Sequence, residues 1–170
     1  MIDYAYIGTV WGIAYMNAFT NELGSYDRNN CLSPAWIQPN PAYEYSATAD
    51  VISHELGHNL GLNHDGITSP ATEYCAGFDA TTNSPSWAPI MGTGSGRDLT
   101  QFSKGDYYRA NRTTQDDLLV VSSRLSYRPD DAGNSNGAAR ILDVSALYFR
   151  TNGVIGPTAD RDVFALTTGV

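Results

Sequence analysis

The hydrophobic and polar positions of this chain fall into short apolar runs around one amphipathic segment. Val10-Trp11-Gly12-Ile13-Ala14-Tyr15-Met16, inside an apolar stretch from Tyr4 to Phe19, reads as a strand rich in β-branched and aromatic residues. Residues 20–34 are polar and turn-rich, with Asn21, Gly24, Asp27, Asn29 and Pro34, and predict a loop. Ala35-Trp36-Ile37-Gln38 is a second short strand, closed by Pro39 and Pro41. A helix follows over roughly 48–60. Val51, Ile52, Leu56 and Leu60 recur at helical spacing and supply its apolar side. Ser46 or Thr48 suits its N-cap, and Asp50 suits its first turn.

Beyond the helix the pattern loosens. Gly66 to Pro85 is a loop rich in Thr, Ser, Asn and Pro. Trp87-Ala88-Pro89-Ile90-Met91-Gly92 is a short apolar run, and residues 92–99 form a glycine-rich loop. Ser103-Lys104-Gly105-Asp106 has the form of a capping box opening a short helix. Thr114 is placed to cap another helix through Leu125, with Asp116 and Asp117 in its first turn and Leu118, Leu119 and Val121 on its buried side. Arg128 to Asn134 reads as a linker, and the residues after it are β-prone.

Composition narrows the classes. The chain has 170 residues, 42% of them hydrophobic, and a formal net charge of −8. That balance argues against a nucleic-acid or anionic-membrane partner, either of which needs a basic face. No apolar run is long enough to span a bilayer. Met1-Ile2-Asp3-Tyr4 lacks the basic start and apolar stretch of a signal peptide. Cys31 and Cys75 are free to pair in a disulfide, which fits an exported protein; two buried thiols are the alternative.

The chemistry is concentrated in His54-Glu55-Leu56-Gly57-His58-Asn59-Leu60-Gly61-Leu62-Asn63-His64-Asp65, which holds all three histidines of the chain. His54 and His58 are four residues apart and share one helix face, the spacing two imidazoles need to reach one tetrahedral zinc. Gly61 can take the positive φ that stops a helix and turns the chain, returning His64 as third ligand. Three protein ligands leave a position open, which marks a catalytic rather than a closed structural site. Glu55 can reach a water held there.

The pattern H-E-x-x-H-x-x-G-x-x-H-D resembles the metzincin zinc endopeptidases, and the Asp after the third His looks like their reprolysin/adamalysin branch. The resemblance implies that Asp65 packs and hydrogen-bonds beneath the site as a structural residue. It implies that Pro89-Ile90-Met91-Gly92 is the Met-turn, with Met91 an apolar floor under the imidazoles rather than a ligand. Thr93 stands where some relatives carry a Tyr ligand, so no such ligand is expected. Gly12-Ile13-Ala14-Tyr15 is similar to the edge strand that pairs with extended substrate in reprolysin-like enzymes; an ordinary strand is the equal alternative. The segment after the Met-turn is expected to wall a specificity pocket. The motifs around Trp87, Gln101-Phe102-Ser103 and Gln115-Asp116-Asp117 are similar to the bacterial type of these proteases.

These readings give an α+β, zincin-like fold. A metzincin-like catalytic domain over 1–127 lacks the front of its N-terminal subdomain, and an open sheet with so few strands is marginal. A linker over 128–136 and a partial β-sandwich-like segment over 137–170 follow. The last, from Ala139-Arg140-Ile141 to Asp160-Arg161-Asp162-Val163-Phe164, resembles the opening of a bacterial pre-peptidase C-terminal domain; a loosely docked tail is the alternative. A longer secreted parent protein is expected.

The expected activity is zinc-dependent hydrolysis of peptide bonds in a protein or peptide substrate. Zinc is held by His54, His58 and His64, and Glu55 is the general base. The rival is a non-catalytic zinc-binding or adhesion module derived from such a protease; the intact Glu55 argues for the enzyme. A purely structural zinc site is disfavoured because the cysteines lie outside the motif. Acidic residues near Asp130 and Asp160 offer oxygen ligands for calcium, though solvated loop carboxylates are the preferred reading.

Overall fold

A computed structural model describes residues 11–20, 35–38, 45–142 and 150–166. The chain divides into two compact units, Met1–Arg124 and Leu125–Val170.

The first unit is built around one helix. Strand β1 (Gly12–Ala14) pairs antiparallel with β2 (Ala35–Ile37), with Gly12 opposite Ile37. β1 is shorter than the expected strand because Asn17 takes a left-handed φ of 56° and turns the chain away. The expected loop at 20–34, apart from Thr20, and Val10 of the expected strand lie outside the described residues. Helix α1 (Tyr45–Asn59) packs against both strands. It starts earlier than the sequence pattern predicts, so Ser46 and Thr48 lie inside its first turn rather than capping it.

The apolar side predicted for α1 is only partly buried. Leu60, just past its end, is buried, but Ile52 and Leu56 are 42% and 49% exposed. The helix instead buries Ala47, Glu55, Gly57, His58 and Asn59. Its inner face is small and polar because that face carries a site.

Short strands bring the following loops back over α1. β3 (Ile67–Thr68) and β4 (Ala71–Thr72) form a tight hairpin. β5 (Trp87–Pro89) pairs in parallel with β6 (Leu99–Gln101). The second helix, α2 (Asp117–Ser122), is shorter than predicted, and its N-cap is Asp116, whose carboxylate accepts from the Leu119 amide at 3.1 Å. Leu118 and Leu119 face outward, and the buried member of its first turn is Asp117.

The helix predicted at Ser103 does not form. The Ser103 hydroxyl donates to Asp65 Oδ2 at 2.8 Å and its amide donates to Asp117 Oδ2 at 3.0 Å. Its hydroxyl oxygen instead accepts from the Gly105 amide at 3.1 Å in a local turn, and the amide that a capping box would give to Asp106 goes to Asp117. Gln115 closes this network, donating to Asp117 Oδ1 at 2.8 Å and accepting from the Asn63 side chain at 3.1 Å. Cys75 is buried and carries a free thiol, so the anticipated disulfide is not formed at this residue; Cys31 lies outside the described residues.

In the second unit β7 (Arg140–Ile141) pairs in parallel with β8 (Phe164–Ala165). Asp131 Oδ1 accepts from the Val154 amide at 3.0 Å. Asp130, Asp160 and Asp162 each bring a carboxylate oxygen within 4.8 Å of the others. Burial, then the neighbouring carboxylates, raises the pKa of Asp162.

Candidate metal centre

α1 supplies His54, Glu55 and His58 from its last two turns. The helix then ends sharply. Gly61 takes φ 98°, its amide donates to the His58 carbonyl at 2.9 Å, and the Leu62 amide donates to the Gly57 carbonyl at 2.9 Å. Such a φ is strained for any residue with a Cβ. The reversal carries His64 back to the helix. His58 Nε2 lies 3.1 Å from His54 Nε2 and 2.9 Å from His64 Nε2.

The other nitrogen of each ring is fixed. His54 Nδ1 lies 2.8 Å from the Ile90 carbonyl, His58 Nδ1 2.8 Å from the Leu62 carbonyl, and His64 Nδ1 2.7 Å from Glu73 Oε1. A carbonyl or carboxylate oxygen only accepts, so each Nδ1 carries the proton. In the neutral ring Nε2 is then a bare lone pair. Three lone pairs converging near 3 Å repel one another and have no hydrogen to share. They fit a cation seated among them, and a set of three imidazoles suits a zinc-type ion. Burial lowers the pKa of His54 to about 4, against the opposing hydrogen bond that its Nδ1 gives to the Ile90 carbonyl, and it lowers that of His58 as well. Both are therefore neutral, the form that binds metal.

The surroundings hold this arrangement. Met91 is fully buried, and a Cβ added at Gly57 would meet its Sδ at 2.5 Å. The thioether thus lies against the helix turn between His54 and His58. Asp65 is buried and ties three segments: its amide donates to the Met91 carbonyl at 2.8 Å, its carbonyl accepts from Cys75 at 2.7 Å, and its carboxylate accepts from Ser103. Burial raises the Asp65 pKa despite the Ser103 bond and the nearby Arg112. Glu55, also buried, is raised to about 7 by burial.

Beside His54 and Glu55 lies a cavity of about 350 Å³, walled by α1, Trp11, Tyr74, Ile90 and the Gly92–Ser95 stretch. Thr93 is one of its walls. Three neighbours of the site carried no signal in the sequence pattern. Glu73 holds the third imidazole, the Tyr74 ring lies 4.3 Å from that of His64 between centroids, and Asp50 reaches the cavity from α1. The roles of Glu73 and Tyr74 depend on where their loop lands, which local periodicity does not encode; that of Asp50 depends on the Thr100 hydroxyl that β6 brings to it.

The sequence model described as metallopeptidase family M12 matches residues 4–103, more than half of the chain. Comparison with curated proteins and with solved structures gives no match.

Proposed function

The chain belongs to metallopeptidase family M12, and from that premise we propose that it is a zinc-dependent endopeptidase whose general base is Glu55. The observation that carries the reading is the convergence of three bare Nε2 atoms beside a buried carboxylate. His54, His58 and His64 would hold the ion. Zinc there would polarise a substrate carbonyl and make water a stronger nucleophile at neutral pH.

The chain's own groups do the rest. Glu55 takes a proton from the attacking water at its carboxylate and returns it to the departing amine. Burial raises the pKa of Glu55, which makes its carboxylate a stronger proton acceptor. No protein nucleophile is needed. β1 has one described neighbour, β2, so its other edge has backbone groups available to an extended peptide among the described residues. The Nδ1 hydrogen bonds keep the imidazoles oriented.

The test is cleavage of casein by the purified 170-residue chain, with zinc content measured in parallel. One equivalent of zinc and cleavage stopped by a chelator are expected. The Glu55→Gln variant should keep its zinc and lose at least a hundredfold in rate, about what a positioned base contributes. Wild-type turnover by that variant would remove Glu55 from the mechanism.

A further inference from the structure

The cavity beside Glu55 points to a preference in substrate. We propose that Asp50 makes it a receptor for a basic side chain, lysine or arginine, next to the bond being cut. The inference rests on the peptidase reading above and specifies its substrate.

The wall that α1 gives the cavity is formed by Ala47, Asp50, Val51, His54 and Glu55; Ala47, Asp50, Val51 and His54, at spacings of three and four, share one helix face, and Glu55 is the carboxylate already assigned to the chemistry. Asp50 lies one turn before His54, on the order of 6 Å along the helix axis. A side chain in the cavity therefore has apolar surface from Val51, Trp11 and Ile90 beside it as well as the Asp50 carboxylate. Lysine and arginine match both, with an apolar stem ending in a cation.

The carboxylate is held in place. Thr100, on β6, donates its hydroxyl to Asp50 Oδ1 at 2.7 Å. That bond fixes the side chain and leaves acceptor capacity on a group that can take several hydrogen bonds. Among the described residues no lysine or arginine lines the cavity and none forms an ion pair with Asp50. Among the described residues the protein supplies no cation to this carboxylate, so a substrate's cation can take the place. A wall glycine, Gly94, allows β6 to come this close, since a Cβ there would meet Thr100 Cγ2.

The test starts from the zinc-loaded chain digesting casein, with the new ends identified by mass spectrometry. Lysine or arginine is expected at one fixed position beside the cut bonds. A peptide spanning the best site is then made with lysine or with norleucine there, which keeps the stem and removes the charge. The kcat/KM ratio of lysine to norleucine should fall about tenfold to a hundredfold in Asp50→Asn, the worth of one charged hydrogen bond. Asp50→Glu should keep most of the preference, and equal zinc content in all three proteins shows that the site is intact. Cleavage with an apolar preference, or a ratio unchanged in Asp50→Asn, would leave Asp50 as a tie to Thr100 and overturn the inference while the peptidase reading stands. No cleavage by wild-type, zinc-loaded protein would overturn both.

Discussion

Gly12 and Glu55 occupy each other's space. A Cβ on Gly12 would stand 2.5 Å from Glu55 Oε1 and 2.6 Å from its Cγ. The strand therefore passes the carboxylate at a distance only glycine allows, and the position of the proton carrier is set from β1 as much as from α1. Gly12→Ala should displace Glu55 without touching the three imidazoles. We expect zinc content to be unchanged and kcat to fall by on the order of a hundredfold, as a misplacement of about 1 Å does elsewhere. Steady-state kinetics with metal analysis checks this, and loss of zinc instead would mean that the strand supports the ligands.

Glu73 orients His64 through one hydrogen bond of 2.7 Å. Partners of this kind tune metal affinity by about tenfold to a hundredfold. The Glu73 side chain is 66% exposed, so water can replace it in part. Glu73→Ala should therefore weaken zinc binding by about tenfold, the lower end, as read by competition with a chelator of known affinity. An unchanged affinity would reduce Glu73 to a surface residue.

Asp117 makes stability depend on pH. Burial raises its pKa from 3.8 to about 6, against the hydrogen bonds from Ser103 and Gln115. Between those values the folded chain keeps a proton that the unfolded chain has released. Stability from this group is thus full below about pH 4 and lost as pH rises through 6, by at most roughly 3 kcal/mol. Asp117→Asn has no proton to lose. Urea unfolding at pH 4, 5, 6 and 7 should show the wild type losing stability relative to the variant across that window. A difference that does not vary with pH would contradict the assignment.

The three-histidine cluster was legible in the sequence from helix spacing together with a glycine turn. His54 and His58 four apart must share a face, and Gly61 supplies a turn few other residues can make. The strands at Gly12–Ala14 and Ala35–Ile37 were legible in kind from their β-branched and aromatic residues, though β1 is shorter than expected. What failed did so where long-range partners outbid local ones. Ser103 has the spacing of a helix cap, but Asp65 and Asp117 claim its hydroxyl and amide. Ile52 and Leu56 follow the helical apolar period, yet the face that turns inward carries Glu55 and His58. Glu73 draws its meaning from His64, brought near by folding; the place of Asp50 one turn before His54 is local, and only its tie to Thr100 is long-range.

The ties of Asp65 also join segments that are far apart in the order of synthesis. A chain leaving the ribosome presents its N-terminal residues first. His54, His58 and His64 emerge early, but the Ile90 carbonyl, the Met91 segment and the Ser103–Asp117 network that hold them come later. Half-made chains carry all three histidines and little of the scaffold that aims them. The surroundings of the histidine cluster are therefore complete only once synthesis has passed Asp117.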